Sequence, residues 1–167
     1  MKIYFELDNI IADFDTKVLK ITQTMPRDMK PHDMWIKLSH IKRFYGSLSP
    51  LPKAIRSFME LRKRALFPVE ILTCLPHPIG ELKTAKQDKE FWVRRYLFGS
   101  VPVNVVINRK YKPQFITDKD ILVDNNAFVP GIWKVAGGIG FEHKSWQNTL
   151  DKLVSLNAIM PETTTPT

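Results

Sequence analysis

The chain opens on a continuous apolar run of β-prone residues, Ile3, Tyr4 and Phe5, that ends on two acids spaced two apart, Glu6 and Asp8. Asn9 follows, and then a second apolar run, Ile10 to Ala12. Short continuous runs of the same kind recur at 69–74, 103–107, 120–124 and 139–141. Their length, and the Gly and Pro that bound several of them, predict strands buried on both faces. Between them, apolar residues fall three and four apart. Phe14, Val18 and Ile21 predict a helix over 13–24, and Trp35, Leu38, Ile41 and Phe44 one over 34–45. Ala54, Phe58 and Leu61 predict a helix over 51–66, with Pro52 suited to its first turn. A long helix is expected over 80–98, carrying Trp92 and Tyr96 and stopped by Gly99. A short one follows over 130–136, and a last over 145–156 with Ser145 as N-cap. Residues 25–32, 46–52 and 109–117 read as loops, the last basic and broken by Pro113. The tail, 161–167, is low in apolar content and is expected to be disordered.

Strands alternating with helices predict an α/β fold, a Rossmann-like and mostly parallel sheet covered on both faces. The stretch between the first strand and the helix at Leu51 is too long for a simple crossover. Its helices are expected to form a small helical cap, residues 16–50, over a core of residues 1–15 and 51–158, with 159–167 as tail. There is no internal repeat.

Composition adds limits. A chain of 167 residues with 44% apolar content suits a single globular domain with a small insertion. No apolar run approaches the roughly 20 residues that span a bilayer. Lys2, Glu6 and Asp8 interrupt the start, so no signal-peptide pattern is expected. Cys74 is the only cysteine, which excludes an intrachain disulfide and fits a reducing cytoplasm. The net charge of +8 implies an anionic partner: a phosphorylated small molecule, nucleic acid or an acidic protein surface. The basic residues are spread along the chain and do not choose among these.

The candidate chemistry lies at strand ends. In a strand, Glu6 and Asp8 point to the same side, at the C-terminal end where open α/β sheets place ligands. Thr73 ends the second strand, Asp124 with Asn125 ends the fourth, and Lys112 lies in the loop before it. In a parallel sheet these ends converge. Carboxylates with backbone oxygen suit Mg²⁺, and a Thr hydroxyl with a Lys ammonium suits phosphate. The set describes phosphoryl chemistry, although the acids alone equally fit a strand running into a polar loop. The four histidines show no metal-ligand spacing. Cys74 reads as a buried structural thiol; Lys86 and Lys89 on the long helix could reach phosphate, but a solvated helix face suits them better.

FELDNIIADFD, EILTCLP, KPQFITDKDILVDNN and WKVAGGIGFEH, in this order, resemble the successive motifs of the haloacid dehalogenase superfamily. Within it they resemble the 5′(3′)-deoxyribonucleotidase family over residues 2–150. The resemblance implies a Rossmann-like sheet with a helical cap after the first strand. It implies Mg²⁺-dependent hydrolysis of nucleoside monophosphates through a carboxyl-phosphate intermediate. By it, Asp8 matches the general acid and base and offers its main-chain oxygen to Mg²⁺. Thr73 and Lys112 match the phosphate holders, and Asp124 the metal ligand. The cap aromatics Phe14, Trp35, Phe44 and Tyr45 are candidates for base stacking. Three positions depart from the pattern: Glu6 stands at the nucleophile, Asn9 at a usual glycine, and Asn125 at a second acid. Glu6 can still ligate Mg²⁺, but its carboxylate sits one methylene further out, and a misplacement near 1 Å costs on the order of 10²-fold in rate. Two expectations follow: a magnesium-dependent 5′-nucleotidase, or a catalytically impaired protein of the same fold that binds a nucleotide, nucleic acid or an acidic partner. The oligomeric state stays open, a homodimer included.

Overall fold

A computed structural model describes residues 1–99 and 101–162. Its centre is a sheet of five parallel strands in the order β3-β2-β1-β4-β5: β1 (Ile3–Phe5), β2 (Val69–Cys74), β3 (Val103–Val106), β4 (Ile121–Asp124) and β5 (Ile139–Glu142). This is the α/β arrangement the apolar runs predict. The first strand lies in the middle, paired with β2 through Ile3 and Val69 and with β4 through Ile3 and Ile121. The strand order reverses at β1, and the crevice beside such a reversal is where open parallel sheets bind ligands.

The two faces are read off by alternation. Ile3, Phe5, Ile71, Ile121 and Val123 face the larger core, under α3 (Ala54–Arg64) and α6 (Trp146–Ser155). Phe5 stacks at 6.0 Å on Trp146 and meets Phe58 edge-on at 5.5 Å. Tyr4, Leu72, Val106 and Leu122 face the other way, onto Val129 and Trp133 of α5 (Phe128–Val135). The Trp133 indole is fully buried and donates to the main-chain oxygen of Asp120 at 2.8 Å.

Between β1 and α3 run α1 (Phe14–Thr22) and α2 (Pro31–Leu38), with 3-10 turns at 26–28 and 45–47. The helix predicted over 34–45 is shorter and starts earlier. Pro31 sits in its first turn, and Arg43, at φ +52°, takes a left-handed conformation that a helix cannot contain. The helix expected from Leu51 begins at Ala54, after Lys53 at φ +63°. The long helix splits into a 3-10 turn at 80–84 and α4 (Ala85–Tyr96). Gly80 opens that turn at φ +50° against the main chain of Ser39, where a Cβ would collide with the Ser39 carbonyl. The basic stretch expected as a loop is a 3-10 helix over 109–115, and α5 starts two residues before Pro130. Ser145 caps α6 as expected, accepting from the Asn148 N–H at 3.2 Å. The disorder expected for the tail concerns residues of which 163–167 lie outside the described ones. No helix among the described residues is long and apolar enough to cross a membrane.

Candidate functional site

The ladder continues one residue past β1, since the Glu6 N–H donates to Val123 O at 2.9 Å. The chain then turns tightly. Leu7 O accepts from Ile11 and Ala12, and Asn9 takes φ +58°, a conformation Asn tolerates better than most residues. This turn holds Glu6 and Asp8 beside the reversal point. A cavity of about 310 Å³ opens there, within the range of small-ligand sites. Glu6, Asp8, Lys112 and Asp124, the strand-end set of the sequence, come together in its floor, and Asn125 and Arg109 join them.

Lys112 is the centre of that floor. It is fully buried, and its ammonium donates at 2.6 Å both to Glu6 Oε2 and to Asp124 Oδ2. Burial works against its charge, but the two carboxylates hold it protonated above the usual lysine range. Burial alone would raise Glu6; Lys112 and Lys89 overcome it and hold the Glu6 carboxyl below its ordinary value. Asp124, sharing the same ammonium, is pushed up by burial and by the charge of Glu6. Its Oδ1 accepts from the Asn126 N–H at 2.9 Å. The second oxygen of Glu6, Oε1, accepts from the Leu7 N–H at 2.7 Å.

A second lysine is the residue that the sequence reading misplaced. Lys89 is not on a solvated face: it is fully buried. It donates to Asp8 Oδ2 at 2.7 Å and to Thr73 Oγ1 at 2.8 Å, and it lies 4.4 Å from the centre of the Tyr45 ring. The signal was in the sequence, since Ala85, Lys89 and Trp92 fall on one helical stripe and all three are buried. Thr73, expected to touch phosphate directly, is fully buried and meets Lys89 instead of lining the cavity. Burial raises the Asp8 carboxyl and the Glu6 charge adds to it, together outweighing Lys89. Asp8 Oδ1 is buried with no hydrogen-bond partner.

Above the floor stands an aromatic wall. Phe14, Trp35 and Tyr45 line the cavity; Phe14 stacks on Tyr45 at 6.2 Å and meets Trp35 at 6.1 Å. Phe44 does not reach it. It is 1% exposed, packed edge-on behind Phe14 and Tyr45, and is a core residue, not a stacking one. Cys74, expected as a buried thiol, is half-buried in the cavity wall. His143 is a local partner, 2.8 Å from Thr149 Oγ1.

Among the described residues, no three acidic, histidine or cysteine side chains converge closely enough to enclose a metal by themselves. Glu6, Asp8 and Asp124 are therefore not a closed ligand cage. The donor chemistry nevertheless fits magnesium, which takes one or two carboxylates and fills its shell with water and substrate oxygens. The unpartnered Asp8 Oδ1, with Glu6 and Asp124 in the same floor, leaves acceptor capacity for a hard cation or its waters. No model of a known protein family matches the chain, and a search of curated proteins finds no match.

Proposed function

We propose that the chain is a phosphomonoesterase of the 5′-nucleotidase type, acting with magnesium on (deoxy)nucleoside monophosphates. The observation that carries this reading is the floor itself: Glu6, Asp8 and Asp124 interleaved with Lys89 and Lys112. The aromatic wall beside it suits a nucleobase, and the motif order resembles the deoxyribonucleotidase family. Glu6, held ionised, is the nucleophile: its oxygen bonds to phosphorus as the ester P–O bond breaks. Asp8, whose carboxyl is pushed above the usual range of an aspartic acid by burial and by the charge of Glu6, is the proton donor to the leaving alcohol oxygen. Water then attacks the phosphorus of the glutamyl phosphate, Asp8 takes its proton, and Glu6 is released. Lys112 and Lys89 offset the negative charge of the phosphoryl group. Magnesium, held by Glu6, Asp124 and the main-chain oxygen of Asp8, would supply further charge neutralisation at the phosphoryl oxygens. Phosphate release from a panel of mononucleotides with magnesium tests the reading, and a rate no higher than that of Asp8→Asn overturns it.

A second reading has its own observation. Both oxygens of Glu6 are engaged, Oε1 by the Leu7 N–H and Oε2 by Lys112, which suits a carboxylate that holds the floor together more than one that attacks. On this reading the cavity binds a nucleotide without turning it over. Glu6→Asp separates the two: a large gain in rate marks a phosphatase limited by side-chain length, and binding without release in both forms marks the binding protein. Should the anionic partner be nucleic acid instead, affinity falls steeply with salt.

A further inference from the structure

The turn after β1 carries a feature that neither reading uses. At φ +58° a glycine would fit Asn9 without strain, yet the residue present brings a side chain, and that side chain is fully committed. Asn9 Nδ2–H donates to Asp15 Oδ1 at 2.8 Å, and Asn9 Oδ1 accepts the Asp15 N–H at 3.0 Å. The two bonds fix Asp15 in the first turn of α1. They occupy one of its carboxylate oxygens. Among the described residues the other, Oδ2, has no hydrogen-bond partner, and no lysine or arginine pairs with Asp15, unlike Asp8 and Asp124 in the floor. Asp15 is part of the cavity wall, next in the chain to Phe14 and sharing that wall with Trp35 and Pro26. It therefore lines the same cavity as Lys112, beside Phe14 in the chain, and pairs with neither buried lysine.

An ionised carboxylate oxygen only accepts hydrogen bonds. Facing a ligand, it gains from a hydroxyl or an amino group and repels a second anion. We infer that Asn9 and Asp15 form the specificity element for the non-phosphate end of the ligand. Asp15 Oδ2 accepts a hydrogen bond from a hydroxyl or amino group of a phosphomonoester. The same charge turns away esters that carry another phosphate at that end. The inference rests on the reading of the cavity as a phosphomonoester site, and it narrows the ligand to neutral, donor-bearing monophosphates as against bisphosphates. Asn9 acts through Asp15 and is a positioning residue.

Calorimetric titration of the full chain in magnesium tests this with four probes: inorganic phosphate, phenyl phosphate, thymidine 5′-monophosphate and thymidine 3′,5′-bisphosphate. Asp15→Ala is expected to weaken the 5′-monophosphate about tenfold, the size of one hydrogen bond to a charged group, while inorganic phosphate and phenyl phosphate hold within about twofold. The bisphosphate is expected to bind more tightly to Asp15→Ala and to Asp15→Asn than to the unaltered chain. Asp15→Asn keeps the shape of the side chain and guards against a folding defect. Asn9→Gly keeps the backbone and is expected to shift the same ratios in the same direction by less. Unaltered ratios in both Asp15 variants, or inorganic phosphate weakened as much as the nucleotide, overturn the inference and leave the phosphomonoester site standing. Failure of the unaltered chain to bind any of the four probes overturns the site and the inference with it.

Discussion

Lys89 and Asp8, 81 positions apart in the chain, meet at 2.7 Å, the aspartate in the cavity floor and the buried lysine behind it. An ammonium has three protons to place. Those of Lys89 meet a carboxylate, the Thr73 hydroxyl and the face of Tyr45, so the protein itself supplies partners for the charge. The helix that delivers Lys89 also carries Asp88, which pairs with Arg43, and Trp92, whose indole donates to Leu48 O at 2.8 Å. One helix thus fastens the segment before α3 and sets the charge on the candidate acid.

Replacing that ammonium should be costly in a pH-dependent way. Lys89→Met keeps the stem and leaves the half-buried Asp8 carboxylate without its cation, a loss of up to about 3 kcal/mol, the low end for a broken buried pair. Asp8 already has a folded-state pKa above its unfolded value, from burial and from Glu6, and the substitution raises it further. A carboxyl of this kind favours the folded state below the unfolded pKa, and the advantage fades as pH rises through the folded one. The penalty is therefore expected to be small near about pH 4 and complete by about pH 8. Urea denaturation of both forms across that interval checks it; a cost that does not change with pH would show that Asp8 is not the group left uncompensated.

Asp120 should behave in the opposite sense. It is fully buried at the start of β4, where Oδ1 accepts the Lys2 N–H at 2.6 Å and Oδ2 accepts the Thr117 N–H at 2.8 Å. Burial opposes its charge, but these bonds win and hold the carboxyl below its ordinary value. Its contribution is present above the unfolded pKa and is lost as pH falls through the folded one. Asp120→Asn turns an NH₂ group toward one of two N–H donors, at a cost of about 2 kcal/mol at neutral pH. The gap between the two forms should narrow toward about pH 3, read by denaturant unfolding at each pH. A gap that widened there would assign the acid sensitivity to another carboxylate.

How much of this was legible beforehand follows from the range of each signal. The strands were readable because runs such as Ile121 to Val123 are buried on both faces and so are apolar at every position. The meeting of Glu6 and Asp124 followed from strand ends in a parallel sheet and needed no distances, and Lys112 lies in the segment that leads into β4. Helix limits were less readable, because Arg43 and Lys53 take left-handed conformations that residues other than glycine rarely adopt and that their side chains do not announce. Lys89 is hard to read from the sequence because its polarity implies exposure. A lysine is buried when a distant carboxylate meets it, and Asp8 lies in a part of the chain that no local pattern connects to α4. Phe44 failed in the reverse way: it lies past the end of α2, and a cluster of aromatics in the sequence does not say which ring lines the cavity and which lies behind it.

The tie between α4 and the segment before α3 gives a prediction of its own. Trp92 is fully buried, and its indole N–H is the donor for Leu48 O. Trp92→Phe keeps most of the apolar contact and removes the donor, for a loss of about 1 kcal/mol. The effect should be concentrated locally. Amide exchange at 45–48 is expected to speed up, because Tyr45 and its neighbours are held there by α4, whereas β1 and β4 should keep their protection. Ligand affinity should fall with the loosening of Tyr45 in the aromatic wall. Uniform acceleration of exchange across the sheet would mean that Trp92 supports the whole core and not this tie.

The last prediction concerns Cys74, which follows Thr73 at the end of β2 and reaches the cavity wall. Its Sγ lies 3.5 Å from Leu75 O, as a donor in a weak bond. Burial, and after it the charge of Glu6, push the thiol above its ordinary pKa, against smaller opposite effects of Lys89, Lys112 and Arg109. The thiol is therefore protonated at neutral pH, and the protonated form is the poor nucleophile. Iodoacetamide labelling followed by mass spectrometry should proceed more slowly than that of an exposed cysteine at about pH 7.5, accelerate as the pH is raised, and slow further when a mononucleotide fills the cavity. Glu6→Gln removes one of the two influences that raise the thiol and should speed labelling at fixed pH. Labelling that is fast at neutral pH and indifferent to Glu6 would place the thiol outside the field of the floor carboxylates, and would take with it the view that the wall and the floor form one electrostatic unit.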